Sequence, residues 1–84
     1  MEIDDTHIQI LRNLYYKRKI GNSHTHREQA LGRLLQEDGK RANKALDQLI
    51  KWNLVLSHPT SYKDQVSLNH KQLKEIRKLI EPSA

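Results

Sequence analysis

Between Gly39 and Asn69 the apolar residues of this 84-residue chain change their period. Ala42, Ala45, Leu46, Leu49 and Ile50 recur at steps of three and four, the spacing that gathers side chains on one face of an α-helix. From Leu54 the step becomes two: Leu54 and Leu56, then Val66 and Leu68, as in strands with one buried face. The pattern predicts a helix over about Lys40 to Trp52 that feeds a hairpin, with Leu54 and Leu56 inward and HPTSYKD as the connection. Asn53 stands at the junction, and asparagine is among the few non-glycine residues that enter the left-handed region readily.

The rest of the chain must cover that apolar stripe and the inner face of the hairpin. Ile8, Leu11, Leu14 and Tyr15 follow the acidic DDT at helical spacing, and Gly21 is predicted to stop this first helix. NSH is read as a brief extended piece. A second helix is expected from THRE, with Thr25 and Glu28 as a capping box, continuing through Ala30, Leu31, Leu34 and Leu35. QEDG is the predicted turn into the third helix. Asn69 is suited to cap a last helix in which Leu73, Ile76 and Ile80 line one face with Leu79 at its edge.

A chain of this length has enough surface to bury for one core and not for two, so a single domain over residues 1–81 is expected, with 82–84 frayed. Cysteine is absent, which excludes disulfides and thiolate metal sites and suits a reducing cytoplasm. The acidic start MEIDDTHIQ is unlike a secretory leader, and no apolar run reaches the ~20 residues that span a bilayer, so a cytoplasmic protein without membrane contact is expected. Fifteen Lys and Arg against ten Asp and Glu give a formal net charge of +5, which favours anionic partners.

Three helices, the second and third joined by a tight turn, then a two-stranded hairpin: this order resembles the winged helix-turn-helix family. The resemblance covers nearly the whole chain, is carried best by LIKWNLVLSHPTSYKDQVSLN, and is similar in particular to short archaeal winged-helix proteins. Two departures are Asn53, where such chains usually carry Gly, and Lys63-Asp64 in place of a Tyr-Gly step. It implies an α+β, mainly helical fold with a three-helix core, a wing and an extra C-terminal helix. It also implies duplex-DNA binding, the third helix in the major groove and the wing on adjacent backbone, as a small transcriptional regulator. Such domains often dimerise, and the first and last helices are the candidate homodimer surface.

The charge pattern agrees with that implication. Opposite its apolar stripe the third helix carries Lys40, Lys44, Asp47 and Lys51, flanked by Arg41 and Gln48 on one edge and Asn43 on the other. Cations neutralise phosphates, and Arg, Asn and Gln are able to pair with base edges. Lys40 and Arg41 sit in the first turn, where the helix dipole disfavours cations unless an anion arrives between them. At the wing, Thr60, Ser61, Tyr62 and Lys63 are candidate phosphate contacts. The competing reading of all these residues is a solvated polar face.

Other clusters read as structural. Lys17 to Lys19 suit a helix C-terminus, His24 and His26 lack the companions a metal site needs, and Trp52 is expected to close the core. No cofactor, metal or small-molecule ligand is expected, and with no phosphate loop and no gathered acid–base pair the chain is not read as an enzyme. Protein docking and RNA binding are the alternatives to DNA.

Overall fold

The computed structural model describes residues 2–58 and 64–81. Within them lie α1 (Asp5–Tyr16), β1 (Thr25–His26), α2 (Arg27–Leu31), α3 (Leu34–Lys51), β2 (Val55–His58), β3 (Gln65–Leu68), a 3-10 turn (His70–Gln72) and α4 (Leu73–Ile80). The fold is a small, mainly helical α+β unit, four α-helices and a three-stranded antiparallel sheet among the described residues.

Asp4 caps α1 by accepting from the amides of Thr6 at 2.9 Å and His7 at 3.2 Å. Ile10, Leu11 and Leu14 lie fully buried along its inner face. Gly21 was the predicted stop, but Arg18 takes the left-handed position instead, at φ 56°. The amide of Arg18 then reaches the Tyr15 carbonyl and that of Lys19 the Leu14 carbonyl, the paired bonds of a Schellman end. The helix must stop this early because Ile20 is needed beside Leu68, where the two form an isolated parallel bridge. Gly21, also left-handed at φ 63°, belongs to the turn after that bridge.

The expected capping box at Thr25 and Glu28 is not the start of α2. Thr25 is a strand residue paired with Val66, and His26 is the N-cap without a side-chain cap bond. The first amide of α2, that of Arg27, is satisfied by the Asp64 carbonyl at 3.3 Å. Nor does α2 run on through Leu34 and Leu35: Gly32, at φ 54° and ψ −130°, ends it after Leu31, and those two leucines open α3. The break expected at QEDG is present: Asp38, extended at φ −160° and ψ 84°, kinks α3 there into two helical segments. Asp38 acts as the cap of the long second segment, its Oδ1 accepting from the Arg41 amide at 3.1 Å.

Asn53 takes the left-handed position that ends α3, at φ 62°, and a second Schellman end follows: Asn53 to Ile50 and Leu54 to Leu49. This shifts the phase of the first strand. Leu54 is buried as the residue that folds back over Leu49, before the strand begins, and the inward strand residue is Val55, directly opposite Leu68. Leu56, expected inward, faces the other side opposite Ser67 and is half-buried.

The sheet order is β1-β3-β2, so β3 is the middle strand. Val66 and Leu68 are fully buried as expected; Ser67 is also fully buried, its hydroxyl donating to the Gly21 carbonyl at 2.8 Å and standing 2.9 Å from His58 Nε2. Asn69 accepts from the Lys71 amide at 3.1 Å and donates to the Asn53 carbonyl at 2.8 Å, tying the start of the last helical segment to the end of α3. Ile76 and Ile80 of α4 are fully buried within the chain, and Arg12 of α1 closes its C-terminus by donating from Nε and Nη2 to the Ile80 carbonyl at 3.1 and 2.9 Å. No helix among the described residues is long and apolar enough to cross a membrane.

Candidate nucleic-acid interface

The second segment of α3 is braced from behind by Ala42, Ala45, Leu46 and Leu49, all buried, so its outer side has a fixed orientation. Lys40, Lys44, Asp47 and Lys51 form the exposed row on that side, spaced by four, three and four residues over about 16 Å of helix. Lys40, Lys44 and Lys51 make no ion pair or hydrogen bond among the described residues. Arg41, on the edge, reaches Asp4 Oδ2 at 3.4 Å in an exposed pair, a geometry worth little in water.

The polar residues of this face are less free than their wheel positions suggested. Asn43 Oδ1 accepts from Arg27 Nε at 2.8 Å, and its Nδ2 donates to the Gly39 carbonyl at 2.8 Å. Arg27 Nη2 also reaches the Asn43 carbonyl at 3.0 Å and Asp47 Oδ1 at 2.5 Å. Gln48 Oε1 lies 2.7 Å from His7 Nε2. The amide of Arg41, one of those expected to meet an incoming anion, is already taken by Asp38.

His7 is 4 % exposed, with its ring centroid 5.1 Å from that of Trp52. Its Nδ1 accepts from the Asp4 amide at 3.1 Å, completing the cap of α1, which leaves Nε2 as the donor to Gln48. Burial opposes ionisation of the Asp4 carboxyl. The hydrogen bond from the His7 amide, the ring's own hydrogen bond and charge when it is protonated, and the Arg41 guanidinium outweigh it, and the pKa falls below its ordinary 3.8. Trp52, expected in the core, is half-buried and packs against it.

Arg27, His7 and Asp4 are the residues of this face that the sequence did not point to. Their partners lie 16 to 41 residues away and are polar, so no apolar period marks them. Of the other expected contacts, Thr60, Ser61, Tyr62 and Lys63 lie outside the described residues. A groove of about 600 Å³ opens elsewhere, between α1 and the first turn of α3, lined by Asp5, Gln9, Asn13, Arg33, Leu34 and Glu37. Among the described residues no group of three His, Asp or Glu is arranged to hold a metal ion.

Compared with models of known families, with curated proteins and with solved structures, the chain matches none of them.

Proposed function

We propose that this chain is a winged helix-turn-helix domain that binds duplex DNA through the outer side of α3, as a small cytoplasmic transcriptional regulator without catalytic activity. One observation carries the reading: three exposed lysines and Arg41 lie along a helix fixed by its buried face, while Asp47, the acid within the lysine row, is paired with Arg27. A helix of ~10–12 Å diameter fits a major groove ~12 Å wide, and cations along it then meet phosphates on both walls. In this reading the hairpin of β2 and β3 is the wing, and Thr60 to Lys63 touch adjacent backbone.

The inward commitments of Asn43 and Gln48 support a complex in which phosphate contacts supply most of the affinity. Ile76 and Ile80 are consumed by the chain's own core, which weighs against α4 as an apolar dimer face and against protein docking through it.

Titration of a random-sequence duplex from about 50 to about 200 mM salt tests the proposal. Four neutralised phosphates give a slope of log affinity against log salt near about −4. Absence of binding, or binding indifferent to salt, overturns it; a preference for single-stranded or duplex RNA in the same assay replaces DNA with RNA.

A further inference from the structure

On the proposed DNA-facing side of α3, each uncharged side chain with an acceptor oxygen turns that oxygen away from the groove. Asn43 Oδ1 is held by Arg27 of α2, and Gln48 Oε1 by His7 of α1. The one carboxylate in the lysine row, Asp47, is bonded to the same Arg27. Donors predominate in what remains, the second carboxylate oxygen of Asp47, on a side chain 65 % exposed, being the acceptor left over. Asn43 Nδ2 spends one hydrogen on Gly39 and keeps the other. No buried side-chain nitrogen or oxygen lacks a partner among the described residues, so Gln48 Nε2, which has none, reaches solvent. Lys40, Lys44 and Lys51 complete the set.

Base edges differ in what they ask of such a surface. Guanine offers two adjacent acceptors, N7 and O6, to the major groove. Adenine pairs an acceptor with the N6 donor, and asparagine or glutamine reads it only by presenting oxygen and nitrogen together. A cytosine N4 likewise needs an acceptor. We propose that Arg27 and His7 are positioning residues that make α3 a donor-rich reading face, selecting guanine-bearing steps over adenine-bearing ones. Arg27 has a second role, since its charge neutralises Asp47 in the middle of the lysine row. The inference rests on the duplex-DNA reading above and adds to it the class of base edge that is read.

His7 keeps its orientation in both relevant states of the ring. Neutral with hydrogen on Nε2, it accepts the Asp4 amide at Nδ1 and donates to Gln48. Fully protonated, it donates from Nδ1 to Asp4 Oδ1, 2.9 Å away, and still donates to Gln48. The acceptor of Gln48 is occupied either way.

The test compares the affinities of the full chain for two duplexes of equal length at one salt concentration, alternating dG-dC and alternating dA-dT. The wild type is expected to favour dG-dC by about tenfold, the scale of one well-formed pair of hydrogen bonds to a base. Arg27→Ala should weaken binding to both duplexes and shrink the ratio. Arg27→Lys, which keeps the charge beside Asp47 but not the fork onto Asn43, should restore overall affinity and leave the ratio small. A role confined to folding would not separate the two readouts.

Gln48→Glu, at a half-exposed site, removes a donor without opening the core and should abolish the dG-dC preference. Equal affinity for the two duplexes in the wild type, or an unchanged ratio in Arg27→Lys, overturns the inference and leaves DNA binding standing. If neither duplex binds, the duplex-DNA reading itself fails and this inference falls with it.

Discussion

The imidazole rings of His24 and His58 stack, with centroids 4.7 Å apart and planes inclined by 27°, on the side of the sheet where Ser67 is buried. His58 Nε2 donates to Ser67 Oγ, whose own hydrogen is spent on the Gly21 carbonyl. Burial, and after it the nearby charge of His24, push the His58 pKa below its ordinary 6.5.

This stack predicts a loss of stability on mild acidification. Well above pH 6.5 His58 is neutral in folded and unfolded chains and contributes no difference between them. Below that value the unfolded chain takes up the proton first, so stability falls with falling pH until the folded ring is protonated too. The urea midpoint should therefore be lower at about pH 5.5 than at about pH 7.5, with His58→Gln reducing the difference. The lowered pKa of Asp4 acts in a separate window: its stabilisation is complete above 3.8 and is lost only as pH falls through its depressed value. A midpoint that does not move over the upper range contradicts the stacking argument.

Asn53→Gly should stabilise the chain by up to about 1 kcal/mol, since glycine takes a left-handed φ without the Cβ penalty. Arg18→Gly, at the equivalent position after α1, should gain at least as much, because arginine lacks the tolerance that asparagine has there. Thermal melts of the two variants decide this, and a decrease in midpoint for both would count against the two Schellman ends.

Leu46→Ala should destabilise by about 2 to 5 kcal/mol, as Leu46 is fully buried behind the lysine row. At a temperature where the variant stays folded, its duplex affinity should fall less than that of any lysine variant. Denaturant melts alongside binding curves separate the two effects.

Lys44→Ala should weaken binding to every duplex sequence alike and reduce the magnitude of the salt slope by about 0.9, the share of one phosphate. Asn43→Ala differs, because Asn43 is a partner of Arg27: it should release the guanidinium fork and alter the preference between bases more than the salt slope. Identical effects of the two substitutions would show that the helix does not meet the duplex along this row.

What the sequence revealed and concealed follows from the kind of signal involved. The apolar stripe of α3, the burial of Val66 and Leu68 and the left-handed turn at Asn53 were legible because each follows from one local rule. Leu54 misled because a buried residue one step past a helix stop looks the same as the first inward residue of a strand. Gly21 misled because the demand that ends α1 comes from Leu68, nearly fifty residues on, which requires Ile20 at its side. The candidate site was legible as a row of cations and illegible in the hydrogen bonds that hold its polar side chains. Whether Asn43 and Gln48 face a ligand depends on Arg27 and His7, and polar pairs between distant segments leave no period behind.

The double hydrogen bond from Arg12 to the Ile80 carbonyl joins residues 68 positions apart, and β3 is clasped by segments drawn from both halves of the chain. Such wiring leaves no autonomous subunit that could open while its neighbour persists. Amide protons deep in α1 and in α4 should exchange with solvent only when the entire molecule comes apart, and with a common free energy of opening.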